Sequence, residues 1–393
     1  MRLAPAVLLL LPHALVATSS FEGIAQNMIM ITDATDPPAV RAVSSRTLEI
    51  STIIEYTRED LALLGVPPLR DDGVNRTLRP SGIVLMEAQF SDTIFWADAG
   101  AGAILGMRFD SSGLRVVTRG LSMPETLVLD TSAETWQVIQ GHALYWGDSG
   151  SNKIQRCRLD LSAGGAGNCT YGVTDVKTNV RNVAGLALNP VTSILYWADG
   201  ELLRVYALPL NAATGVASTA PTALVEVVSF VAMPAGLAME LQNSGSLYAD
   251  RLYVLDQASP ASLSRTWLNG NDTQTLVQYG LSRPRAIGLA RDHHFFGLAD
   301  SGTRQLFVGS TGQDIPMLRE VYTASNFEPR GVAIRTDAEL LISLTGAPNA
   351  AQDQSSAGAS GRRRRGAREA GVAATASAAA ALVVGALVGR RRV

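Results

Sequence analysis

Cysteine, lysine and histidine are all scarce in this 393-residue chain, and each scarcity narrows what it can do. Its two cysteines, Cys157 and Cys169, lie twelve positions apart, which suits one local disulfide formed in an oxidising compartment; two buried free thiols are the alternative. Lysine occurs only as Lys153 and Lys177, and no basic face interleaved with aromatics is present in the body, so nucleic acid is not expected as a partner. Histidine is limited to His13, His142, His293 and His294, and no G-x-S-x-G elbow occurs, which removes the commonest hydrolytic machinery. What remains is 47% hydrophobic and 17% charged, the balance of a globular chain able to bury a large core, and disorder of the whole is excluded. Length alone leaves the domain count open, because propellers and barrels often exceed 250 residues as one unit.

The two ends differ from the middle. Residues 1–20 run from Arg2 through an apolar stretch at Ala6–Leu11 to small residues at Ala17–Ser20, the layout of a secretory signal peptide, with a buried first strand as the alternative. Export agrees with three N-x-[ST] sequons, at Asn75, Asn168 and Asn271, each in a polar context where a glycan would stay solvated. Residues 348–369 have the Ala, Gly, Ser and Gln content of a flexible linker and include Arg362–Arg365, a topology-setting charge cluster or, alternatively, a protease-processing site. Residues 370–389 are uncharged and, at about 1.5 Å per residue, just long enough to span a bilayer as a short hydrophobic helix. An Ala-rich helix that never inserts and a tail exchanged for a lipid anchor are the alternatives, and residues 390–393 form a basic tail on the cytoplasmic side. With Arg2, the eight tail arginines and Glu369 set aside, the 33 basic and 35 acidic residues fall to 24 and 34, a formal charge of −10 that favours cationic partners or divalent ions.

Between residues 21 and 347 the chain repeats itself. An aromatic-aromatic-small-Asp cluster appears as Phe95-Trp96-Ala97-Asp98, Tyr145-Trp146-Gly147-Asp148 and Tyr196-Trp197-Ala198-Asp199. It recurs in weakened form at Tyr253–Asp256 and Phe296–Asp300, and without aromatics at Met30–Asp33. Successive aspartates are spaced near fifty residues, except where the charged segment from Tyr56 to Arg79 is inserted. Ahead of each cluster a short β-rich run opens with proline or a small residue, from Pro80, Pro124, Val183, Pro234, Pro284 and Pro329. A third strand, such as Lys153–Asp160, and a fourth, such as Leu114–Thr118, complete each unit. Four strands per fifty residues make a propeller blade, and six blades close a ring without a long exposed edge. The strand at Met30 lacks an upstream partner, so Gly331–Ile334 is expected to complete its blade and clasp the ring; Leu340–Leu344 is the alternative clasp.

These units, above all Tyr145-Trp-Gly-Asp148 with Asn152-Lys-Ile-Gln-Arg156 and the strand-opening prolines, resemble the class B (YWTD) repeats of the low-density lipoprotein receptor family. The resemblance implies an all-β, six-bladed β-propeller of four-stranded antiparallel blades over about residues 24–345. It also implies that the cluster residues are architectural: Trp96, Trp146 and Trp197 packing between blades on half-buried strands, and Asp98, Asp148, Asp199, Asp256 and Asp300 capping strand ends. Two cysteines cannot supply the epidermal-growth-factor-like modules that accompany such propellers elsewhere, so lipoprotein uptake is not implied. The expected role is receptor-like binding of an extracellular protein or glycan by a monomeric ectodomain, cell-surface or released by cleavage in the linker. No catalytic residue, cofactor or metal ligand is assigned. The alternative is a metal-dependent propeller hydrolase of the lactonase type with a divalent cation in its central channel, although His293-His294 fits a solvated loop better than a metal site.

Overall fold

The computed structural model of the protein describes residues 28–335 apart from 45–46, 67–76, 87–91, 110–111, 131–141, 161–166, 170–171, 212–213, 218–224, 229–231, 242–249, 291–294 and 312–317. The signal segment, Asn75, His293 and His294, the Leu340–Leu344 alternative, the linker with its arginines, the 370–389 helix and the tail all lie outside the described residues.

Alternating runs that begin at a proline and end at an aspartate form antiparallel pairs, and these pairs build six sheets. Blade 1 joins Pro329–Arg335, Met28–Asp33, Ala39–Ser44 and Ile50–Glu55, in that spatial order. Blade 2 comprises Pro80–Met86, Thr93–Asp98, Ala103–Arg108 and Arg115–Arg119, and blade 3 comprises Pro124–Asp130, Ala143–Asp148, Lys153–Asp160 and Thr174–Thr178. Blade 4 runs through Val183–Asn189, Ile194–Asp199, Arg204–Pro209 and Val225–Val228; blade 5 through Pro234–Glu240, Arg251–Asp256, Ser262–Trp267 and Gln274–Val277. Blade 6 is Pro284–Leu289, Phe295–Asp300, Gln305–Ser310 and Arg319–Thr323. Blade 3 carries one element more than the repeat predicts, a two-residue strand Asn168–Cys169 paired with Leu159 and Asp160. The clasp is the one read from the sequence: Met28 faces Arg335 and Ile31 faces Val332 in the antiparallel register of blade 1.

The core is divided among the gaps between blades. Each second strand has one face toward the preceding blade and the other toward the following one, because side chains alternate along a strand. Thus Phe95 of blade 2 shares a cluster with Trp146 of blade 3, and Tyr145 of blade 3 shares one with Trp197 of blade 4. The weakened motifs keep the same register, Tyr196 with Val254, Tyr253 with Leu298, Ala299 with Ile31, and Met30 with Trp96, so six clusters fill the six gaps. The motif strands are therefore buried on both faces, not half-buried as the sequence suggests; Trp96 and Trp146 are fully enclosed and Trp197 nearly so. A ring of sheets leaves no solvent face on a strand one place in from the channel.

The inserted segment contributes a short helix, Arg58–Leu63, that the repeat does not predict. Thr57 and Asp60 cap it reciprocally, a Thr-x-x-Asp version of the capping box, and Leu61 anchors it on the core between blades 1 and 2.

Candidate functional site

Each innermost strand forms the edge of its sheet, so six strand edges surround a central channel of about 430 Å³. Its wall takes three residues from every blade, such as Ile83-Val84-Leu85 and Leu237-Ala238-Met239, and every one is aliphatic, methionine or glycine. Polar groups on this wall are consequently main-chain N–H and C=O. Among the described residues, no cluster of three or more His, Cys, Asp or Glu side chains converges as a cation site requires.

The end of the ring where the motif aspartates lie is built by a repeated clamp. In each blade the residue after the aspartate donates its N–H to the carbonyl of the residue before the innermost strand, as Ser149 does to Met123 and Ser301 to Arg283. The aspartate itself holds both sides of that junction. Asp148 accepts from the amides of Ser122 (2.9 Å), Met123 (2.8 Å) and Ser151 (3.2 Å). Asp300 accepts from Ser282 (2.7 Å), Arg283 (2.9 Å), Gly302 (2.8 Å) and Thr303 (3.1 Å). Asp199 and Asp256 bind the equivalent amides of Arg181 with Leu202, and of Met233 with Ala258. Asp33, from the motif without aromatics, joins Glu328 to Thr35 in the same way and adds an ion pair with Arg41 at 2.7 Å.

Asp98 departs from this scheme. One oxygen takes the amides of Arg79 and Ala101, while the other receives the Tyr56 hydroxyl at 2.8 Å, and Trp96 donates its indole N–H to that hydroxyl at 3.2 Å. All three side chains are buried, and burial raises the Asp98 carboxyl above the usual carboxylate range despite those donors. Sequence reasoning missed Tyr56 because it lies in the insertion, outside the repeat. Tyr56→Phe leaves a buried carboxylate oxygen and an indole N–H without partners, so an expected loss of about 1–3 kcal/mol in urea unfolding checks this link.

Tyrosines of the motif strands add a second buried set. Burial pushes Tyr145 up to about 12 and raises Tyr196 and Tyr253 further, with Asp250 and Glu240 adding to the burial effect on the latter two; Tyr56 is raised by burial and then by Asp98. In the unfolded chain these phenols ionise near 10, in the fold only above that, so their contribution to stability is intact below pH 10 and is lost as pH rises toward 12. The expected result is a urea midpoint that falls steeply above pH 10. Absorbance at 295 nm should show these four of the nine tyrosines ionising only as the ring unfolds.

At the channel mouth on this end, the ladder of each innermost strand slips near its start. The residue set out of the ladder is Glu125 in blade 3, Ala184 in blade 4, Ala235 in blade 5, Arg285 in blade 6 and Arg330 in blade 1. The position after it is glycine in blades 1 and 4, where it has no room for a side chain: a Cβ on Gly331 would meet the Ser81 carbonyl oxygen at 2.2 Å, and one on Gly185 the Leu237 amide nitrogen at 2.6 Å. Neighbouring innermost strands approach backbone to backbone at these glycines, which explains the proline-or-small-x-glycine pattern in those blades. The pattern marked these strands, yet the middle residue, the one that reaches the mouth, was not singled out.

Cys157 and Cys169 form a disulfide with 5.4 Å between their Cα atoms, tying the two-residue strand to blade 3. Asn168, on the two-residue strand, and Asn271, on a loop, are both exposed at the end of the ring opposite the motif aspartates, and His142 immediately precedes a motif strand; among the described residues no metal-like cluster includes it. Among the described residues, no helix is long and apolar enough to cross a membrane.

No protein-family model matches the chain. Among curated proteins it is similar to Protein cueball of Drosophila yakuba, 24% identical over 174 residues that make up 44% of this chain and 26% of that protein. It is likewise similar to Protein cueball of Drosophila erecta, 24% identical over 163 residues, 41% of this chain and 24% of that one. The matched segment thus spans about a quarter of the length of these relatives. Among solved structures, a chain in the crystal structure of a nidogen/laminin complex superposes with a TM-score of 0.57 at 13% identity, over 79% of this chain and 98% of that one, and so the fold is that of a known six-bladed ring.

Proposed function

We propose that this chain is a receptor-like propeller of the low-density lipoprotein receptor class B kind, secreted or held at the cell surface, that binds another protein. The observation that carries this reading is the channel wall. A propeller hydrolase needs carboxylates and amides converging inside the channel, whereas this wall has no polar side chain at any position, and polar side chains gather at the mouths instead. The similarity to a chain from a complex of two proteins supports a protein ligand over a glycan. Export rests on residues 1–20, on the disulfide and on the exposed Asn168 and Asn271, and anchorage on residues 370–389.

The test pairs calorimetric titration of calcium into the full chain with a lactone and ester hydrolysis screen. Neither saturable calcium binding nor turnover is expected; turnover that a chelator abolishes would replace this function with the hydrolase. A mobility shift on endoglycosidase treatment of the expressed protein, lost in Asn271→Gln combined with Asn168→Gln and Asn75→Gln, tests export independently.

A further inference from the structure

Trp96, Trp146 and Trp197 are sealed in the gaps between blades, but Trp267 is not. It ends the third strand of blade 5, partly exposed and outside all six inter-blade clusters. Its ring is nevertheless held in place. Arg251, directly across the ladder, stacks its guanidinium on the indole at 4.5 Å, and the indole N–H donates to the Asp272 carboxylate at 3.1 Å.

The chain reverses immediately after this tryptophan. Gly270 donates its N–H to the Trp267 carbonyl at 2.8 Å, and Trp267 donates its own to the Asn271 carbonyl at 3.1 Å, with Gly270 in the left-handed region at φ +79°. That is a tight turn closed by a glycine bulge, and glycine is required, since a Cβ on Gly270 would collide with the Val227 carbonyl oxygen. In such a bulge the residue after the glycine faces the strand residue opposite, which puts Asn271 on the same side of the sheet as Trp267. The order across blade 5 is therefore Arg251, Trp267, Asn271, with the asparagine beyond the ring from the arginine. The main chain of Asn271 is fixed as well: its N–H donates to the Asn269 side-chain oxygen at 2.9 Å, and its carbonyl accepts the Thr266 hydroxyl at 3.0 Å. Asn271 itself is exposed and opens the sequon completed by Thr273.

We propose that Trp267 is the seat of a covalently attached carbohydrate: the first sugar of a glycan on Asn271, an N-acetylglucosamine, packs its C–H face on the indole. The sugar presupposes the export proposed above. Transfer from a lipid-pyrophosphate donor forms the bond from the Asn271 Nδ2 to the anomeric carbon and releases the lipid pyrophosphate and a proton. Facing residues on paired strands hold their Cβ atoms about 5 Å apart, so a pyranose on the asparagine amide reaches the ring. Its C–H groups cover the side of the indole that Arg251 does not, while its hydroxyls stay in water. Arg251 and Asp272 already orient the ring and the turn already fixes Asn271, so little conformational freedom is lost when they meet.

The test uses the full chain secreted from cultured animal cells, with glycopeptide mass spectrometry to read the occupancy of Asn271. Asn271→Gln, at an exposed position, should raise the unfolding equilibrium constant in urea about fivefold. Trimming the wild-type protein with an endoglycosidase that leaves a single N-acetylglucosamine should not change it, because that sugar alone makes the contact. In a Trp267→Ala background, Asn271→Gln should have no further effect. Equal effects of Asn271→Gln in the two backgrounds, or a loss already complete on trimming, overturn the stacked sugar while leaving an exported glycoprotein. A bare Asn271 overturns it as well, and if Asn75 and Asn168 are also bare, the export reading falls with it.

Discussion

Trp146→Ala should lower the unfolding free energy by about 3–5 kcal/mol, the range found when a fully enclosed tryptophan is truncated in a core that cannot collapse around the void. Trp146 is fully buried between blades 2 and 3, packed with Phe95 on a strand fixed by ladders on both sides, so the gap has no easy way to close. The indole also loses its bond to Gln155 at 3.2 Å. Trp267 is the internal control. It is only partly buried, stacks under Arg251 at 4.5 Å and bonds Asp272, so Trp267→Ala should cost about 1 kcal/mol. Urea unfolding followed by far-ultraviolet circular dichroism compares the two, and equal losses would mean that the inter-blade clusters are not where stability resides.

Asp300→Ala should cost a similar amount, about 3–5 kcal/mol, for a different reason. One carboxylate accepts four backbone amides, two from the junction ahead of the innermost strand of blade 6 and two from the turn after the motif strand. Without it those donors lose a charged acceptor in a place where the carboxylate is fully buried. Asp300→Asn keeps one acceptor oxygen and should lose roughly half as much. Hydrogen exchange at Ser282, Arg283, Gly302 and Thr303 locates the effect: those amides should exchange faster in Asp300→Ala while the strand ladders of blades 2 and 3 are unaffected, and uniform acceleration would show that the clamp is not local.

The blades were legible because their signal is repeated six times, so that even Gly297, where blade 6 has glycine in place of a motif aromatic, falls into register through Asp300. Ring closure was legible from an unpartnered strand at Met30 and an extra one at Pro329. Three kinds of feature were not. The Tyr56–Asp98–Trp96 chain joins an insertion to a repeat, and insertions have no template within the sequence to reveal them. The arginines at the mouth owe their position to a slipped ladder, and a bulge of one residue leaves no periodic trace when the strand around it is aliphatic. Burial of the motif strands on both faces depends on neighbours contributed by other blades, which alternation along a single strand cannot report.

The pairing of Met28–Asp33 with Pro329–Arg335 has a consequence for biosynthesis. Until residue 335 is in place, the first blade is one strand short and the cluster that covers Phe295 and Val308 lacks Val332 and Ile334. A chain that ends before that point presents an apolar flank and an open β edge, so truncations only a few residues short of Arg335 should aggregate rather than fold into the closed ring.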